Sequence, residues 1–198
     1  MTRRAMLHAI ADVHLANHKA FGGALDAGLN ARARAVVTAL RDVRDHFERA
    51  NAGPSELIVL GDLFDTHHPS PQLVDAVMGA INQSYDVRVH MLVGNHDAAS
   101  VAPGDHAMIP FRHLTGYEVH DRPAVVTTRG GDELVLVPYQ PGIAREWLPE
   151  ALGAILGPQG GTRSGSASTV HRVLACTLAS TTLASGLRTP GLPPRTTP

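Results

Sequence analysis

Three short apolar runs, each stopping at a residue that can bind a cation or move a proton, constrain this chain more than any other feature. The first run, residues 6–11, ends at Asp12-Val13-His14; the second, Leu57 to Leu60, ends at Gly61-Asp62; the third, Val87 to Val93, ends at Gly94-Asn95-His96-Asp97. Runs of four to eight apolar residues bounded by turn residues read as buried strands. The segments between them read as helices. From Asn30 to Ala50, residues Ala33, Val36, Val37, Leu40, Val43 and Phe47 recur at spacings of three and four and make one apolar stripe, which ends at the breaker Asn51-Ala52-Gly53-Pro54. Ser70-Pro71 has the form of an N-cap followed by a first helical residue, and Leu73, Val74, Val77, Met78 and Ile81 follow. Strand–helix alternation of this kind predicts an α/β fold with a parallel sheet core flanked by helices. Beyond residue 95 the pattern turns to short strands at 117–119, 124–127 and 134–137, then a helix near 143–152 that packs Trp147 and Leu148 inward.

Composition narrows the class. The 198 residues carry 17 basic and 18 acidic side chains, so no global field attracts a polyanion. A chain of this size buries a real core without cross-links. Cys176 is the single cysteine, which excludes an internal disulfide and fits a reducing, cytoplasmic setting. No apolar run approaches the roughly 18 residues that cross a bilayer. The basic start, Arg3-Arg4, followed by residues 5–10, is too short in its apolar part for a signal peptide and runs into Asp12.

The three strand ends carry the chemistry. In an open α/β sheet ligands bind at the carboxyl ends of the strands. Any one of these motifs alone describes a solvated turn; three in order, each directly after a buried strand, describe one site. Carboxylate, imidazole and amide-oxygen donors suit divalent ions such as Mn²⁺. A carboxylate shared by two ions about 3.5–4 Å apart clamps the attacking and leaving oxygens of an in-line displacement at phosphorus.

The residues Ala11-Asp12-Val13-His14-Leu15, Gly61-Asp62-Leu63-Phe64-Asp65 with Pro69-Ser70-Pro71, Gly94-Asn95-His96-Asp97 and Val137-Pro138-Tyr139 resemble the motifs of the calcineurin-like metallophosphoesterases. Within that superfamily they look closest to SbcD-type DNA repair exonuclease subunits and their phage recombination relatives. The similarity covers about residues 5–141. It implies two sheets paired into a sandwich flanked by helices, of which this chain holds the first half and part of the second. It also implies two divalent ions, manganese by preference, with Asp12 and His14 on the first, Asp62 bridging, and Asn95 on the second. His96 would stabilise the phosphorane or protonate the leaving oxygen, Asp97 would orient its imidazole, and Asp65 would support the ligands from behind. The implied reaction is hydrolysis of DNA phosphodiesters. The implied partners are DNA, an SbcC-like ABC-type ATPase subunit and a second copy of the chain, with no membrane.

The sequence also departs from that pattern. A histidine at the end of a later strand and a Gly-His-x-His motif are both missing: His106, His113, His120 and His171 do not stand in such contexts, and the run 173–176 is followed by Thr177. Residues 1–155 are therefore expected to form an incomplete nuclease-like domain. The rest, 156–198, reads as a low-complexity tail, disordered or translated out of frame. Of the 42 residues from Gly157 to Pro198, 24 are Gly, Pro, Ser or Thr, and a one-base shift can turn codon 177 into a histidine codon. Two rivals stay open: another superfamily enzyme, such as a phosphatase or small-molecule phosphodiesterase, and a catalytically impaired binding subunit. Elsewhere, His67 and His68 read as solvated loop residues, His8 and His90 as satisfied strand residues, and Arg32, Arg34, Arg41 and Arg44, interleaved with acids, as a solvated helix face.

Overall fold

The computed structural model describes residues 6–50, 55–82, 87–100, 102–139 and 172–176. The expected helix near 143–152 and all of the tail except 172–176 lie outside them. Four strands, β1 (Met6–Ile10), β2 (Ser55–Val59), β3 (Val87–Leu92) and β4 (Tyr117–His120), form one all-parallel sheet in that order. Helix α1 (Ala31–Ala50) joins β1 to β2 and α2 (Pro71–Ile81) joins β2 to β3. The expected run at 117–119 is thus the fourth parallel strand. It is reached from β3 through loops and a 3₁₀ turn (Ile109–His113), with Pro110 in its first turn, where the missing N–H has no partner to lose. Strands β5 (Ala124–Thr127) and β6 (Glu133–Val137) pair as an antiparallel hairpin, and β7 (Arg172–Cys176) runs parallel to β6 to complete a second sheet.

Strand periodicity decides what covers each face. Leu57 and Val59 of β2 and Val89 and Met91 of β3 point one way, into a cluster with Ala33, Val37 and Leu40 of α1 and Leu73, Val77, Ala80 and Ile81 of α2. Their neighbours Ile58 and Leu92 point the other way, onto Leu134, Leu136 and Ala175 of the second sheet. The result is a sheet-on-sheet layer with helices outside the first sheet. Polar ties close its rim: the Arg129 N–H donates to Glu56 Oε1 at 2.6 Å, and the Tyr139 N–H to the Val93 carbonyl at 2.9 Å.

Both helices start where side-chain caps dictate. Ser70 Oγ accepts from the Leu73 N–H at 3.4 Å with Pro71 behind it. For α1 the cap is Asn30, one residue before the helix, whose Oδ1 accepts from the Ala33 N–H at 2.9 Å. Asn30 also donates from Nδ2 to the His18 carbonyl and from its N–H to Asn17 Oδ1. The start of α1 is therefore fastened to the loop that follows β1, and that loop carries His14.

Candidate metal centre

Because β1, β2 and β3 are parallel, their carboxyl ends fall on one edge, and the three polar motifs meet there. The loops are stitched by backbone bonds: the His14 N–H donates to the Asp62 carbonyl (2.9 Å) and the Leu15 N–H to the Leu63 carbonyl (3.0 Å). The turns are tight enough to push Asp12, His14 and Asp62 to positive φ (51°, 45° and 50°), conformations that cost a non-glycine residue energy and that cluster at functional sites.

Ligand atoms of His14, Asp62 and His96 lie within 4.8 Å of one another. Asp62 is buried, and its Oδ1 accepts the His96 N–H at 2.9 Å. The rings of His14 and His96 meet edge to face, centroids 4.7 Å apart. The structure thus brings His96 into ligand range of the other two, beside the leaving-group role the resemblance implies for it. Asp12 stands two residues past the end of β1 but outside this 4.8 Å group, with an exposed side chain. Asn95 contributes a different signal. Its Oδ1 is buried and has no hydrogen-bond partner among the described residues. A buried acceptor left unpaired costs about 1–3 kcal/mol, and a cation at the edge would satisfy it. The donor set of two imidazoles, a carboxylate and an orphaned amide oxygen fits divalent metal ions.

Asp65 is the hub behind this set. Its Oδ1 lies 3.2 Å from His14 Nδ1 and 3.9 Å from His96 Nδ1, its Oδ2 lies 3.9 Å from His18 Nε2, and its carbonyl oxygen is 3.3 Å from His96 Nδ1. With Nδ1 of both rings turned to Asp65, Nε2 is left as the free nitrogen of each. His18, four residues after His14, is a site neighbour that sequence reasoning missed. The i, i+4 spacing was its only signal, and a loop gives that spacing no meaning.

Asp97 requires a correction. The expectation was that it orients the His96 imidazole. Instead its fully buried carboxylate accepts three backbone N–H groups, from Phe64 (3.0 Å), Gly94 (3.0 Å) and Leu63 (3.4 Å), and it makes no bond to His96. Those donors were invisible in the sequence because they belong to another loop. Asp97 fastens the β2 loop to the β3 loop, and burial pushes its pKa up to about 6 against the pull of the N–H donors. Gly94 permits this closeness: a Cβ there would collide with the Asp62 backbone nitrogen and Oδ1.

The remaining candidates lie elsewhere. His67 and His68 are exposed, with rings 4.2 Å apart. Arg34 pairs with Asp26 and Arg44 with Asp45, while Arg32 and Arg41 are exposed on α1. Among the described histidines after His96, none joins the loop cluster; His106 bonds the Met108 N–H, and His120 faces His90.

The family model for calcineurin-like phosphoesterases matches residues 7–160 of the sequence. This chain belongs to that family. The family's chemistry is metal-dependent phosphoester hydrolysis with two divalent ions, and His14, Asp62 and His96 form a candidate ligand group at the edge just described. A search among curated proteins finds no match to the chain. No described helix of this phosphoesterase is long and apolar enough to cross a membrane.

Proposed function

We propose that this phosphoesterase acts on DNA, as the nuclease subunit of an SbcCD-like break-repair assembly that includes an ABC-type ATPase and a second copy of the chain. The observation that carries the reading is the openness of the edge. His14, Asp65 and His96 have side chains 32%, 35% and 37% exposed, so solvent reaches them from outside, which suits the backbone of a polymer. Two features agree with it. The Val137-Pro138-Tyr139 strand end that resembles the nucleases is tied to Val93 beside the site. Three residues beyond His18, Phe21 is 97% exposed and offers a face on which an unpaired base can stack.

Metal ions bound here supply charge neutralisation at phosphorus and an acidified water near neutral pH. The chain's own part follows from the contacts. His14, Asp62 and Asn95 would hold the ions, with manganese well suited to this mix of nitrogen and oxygen donors. Asp65 fixes His14 so that Nε2 presents its lone pair. His96 is held at Nδ1 by the Asp65 carbonyl and at its backbone by Asp62, which leaves Nε2 to bear the proton for the departing oxygen. Asp97 keeps the two loops in register.

A second reading has its own observation. The described residues that follow the β3 loop bring no further donor to the cluster, and Thr177 stands after β7 where the resemblance calls for histidine. That favours a subunit that binds DNA but turns over poorly.

The test compares hydrolysis of single-stranded DNA with that of bis-p-nitrophenyl phosphate in Mn²⁺, alongside Asp62→Asn. DNA cleavage abolished by the substitution supports the nuclease. Turnover of the small ester without DNA cleavage refutes it in favour of a phosphatase-like enzyme. DNA binding with no turnover of either substrate supports the impaired subunit.

A further inference from the structure

A second group of donors lies between the two sheets, away from the loop edge. Glu56 of β2, His90 of β3, and Glu118 and His120 of β4 all sit at positions that face the second sheet; His90 pairs in register with Glu118, and Leu92 with His120. We propose that His90, Glu118 and His120 form an additional divalent-metal site of the zinc class, joining β3 to the edge strand β4.

The geometry carries it. His90 Nδ1 and His120 Nε2 are 3.1 Å apart, His90 Nδ1 and Glu118 Oε2 3.6 Å, and His120 Nε2 and Glu118 Oε2 3.9 Å. The point equidistant from those three atoms lies about 2.1 Å from each, within the range of zinc–nitrogen and zinc–carboxylate bonds. Two histidines and a glutamate leave a fourth position for water, and Glu118 is exposed, so the site has an entry path. The shell behind the ligands is also in place. His90 is fully buried, and its other nitrogen, Nε2, lies 3.2 Å from Glu56 Oε2. That contact puts a proton on Nε2 and leaves Nδ1 as a lone pair aimed at His120 and Glu118. Carboxylate–histidine–metal relays orient ligands in this way. Glu56 is itself held by the Arg129 N–H. The competing account is a plain hydrogen bond from His120 Nε2–H to His90 Nδ1 that needs no ion.

Cobalt titration of the chelator-stripped full chain separates the two, because four-coordinate Co²⁺ absorbs strongly in the visible. The wild type is expected to show one equivalent with this spectrum, and Asp62→Asn is expected to keep it. Glu118→Gln and His120→Gln are expected to lose it and to weaken Zn²⁺ binding by calorimetry about tenfold or more. Zn²⁺ is further expected to raise the thermal midpoint of the wild type and not that of Glu118→Gln. If His120→Gln fails to fold, Glu118→Gln decides, since its side chain is exposed and the one ion pair it loses besides the metal, to Arg88 Nε at 3.6 Å, is a surface contact of small worth. An unchanged cobalt spectrum and Zn²⁺ affinity in Glu118→Gln would overturn the proposal, as would loss of all binding in Asp62→Asn.

Discussion

Replacing Gly94 with alanine tests the reasoning about the metal centre most directly. Gly94 is not at positive φ, so alanine can adopt its backbone and the effect is steric. The new methyl would collide with the Asp62 nitrogen and Oδ1 and stand 2.8 Å from Asp62 Cγ, so the β2 and β3 loops must part by roughly 1 Å to restore ordinary contact. That separation disrupts the bond from the His96 N–H to Asp62 (2.9 Å) and the one from the Gly94 N–H to Asp97 (3.0 Å). Bonds to carboxylates contribute about 1.5–3 kcal/mol each, and overpacking adds about 1–3 kcal/mol. With partial relaxation the expected loss is about 3–5 kcal/mol, a large fraction of a domain's stability. Urea denaturation of the metal-free chain measures it, and Mn²⁺ affinity should fall about 10–100-fold where the fold survives. Gly79→Ala, on an exposed position of α2 with open space around the new methyl, makes the same chemical change and should stabilise by about 0.5–1 kcal/mol. If Gly94→Ala loses less than about 1 kcal/mol and binds Mn²⁺ as the wild type does, the close-approach argument is wrong.

Asp65→Asn should lower metal affinity about 10–100-fold while leaving the urea midpoint nearly unchanged, because the side chain is a third exposed and acts by fixing His14; calorimetry with Mn²⁺ checks it. Asp97→Asn should instead destabilise the chain by about 1–3 kcal/mol even without metal, since an amide NH₂ must face at least one buried backbone donor; chemical denaturation in chelator reads this out. In the metal-free chain, burial and the neighbouring His90 hold the pKa of His120 down to about 4. The stability this neutral imidazole contributes is present above its unfolded value near 6.5 and is lost as pH falls through about 4, on the order of 3 kcal/mol. His120→Gln should flatten that acid slope, and urea midpoints across pH 4–7 measure the difference.

Much of the molecule was legible because local pattern and burial agree. Ser70-Pro71 caps α2 as read, Ala33, Val36, Val37, Leu40 and Val43 of the α1 stripe join the core cluster with β2 and β3, and the three buried runs are adjacent parallel strands. What escaped depends on contacts between segments far apart in the chain. Asp97 reads as a neighbour of His96 in sequence, yet its carboxylate turns to backbone donors 33 and 34 residues away. Asn30 reads as a first helical residue but caps the helix and grips the His14 loop. The strand at 117–120 reads like the hairpin strands after it, and only its pairing with β3 assigns it to the parallel sheet.

The sequence by itself determined the period of each element and the residue types at each strand end, because both follow from local sterics and from which faces must leave water. It therefore determined that Asp12, His14, Asp62, Asn95 and His96 would stand at the carboxyl ends of strands. Only the tertiary structure decided which of these converge. Ligand range depends on loop paths set by long-range hydrogen bonds, by a glycine that lets two backbones meet, and by the register of parallel strands. The same register brings His90, Glu118 and His120 together, from segments in which no motif marks them.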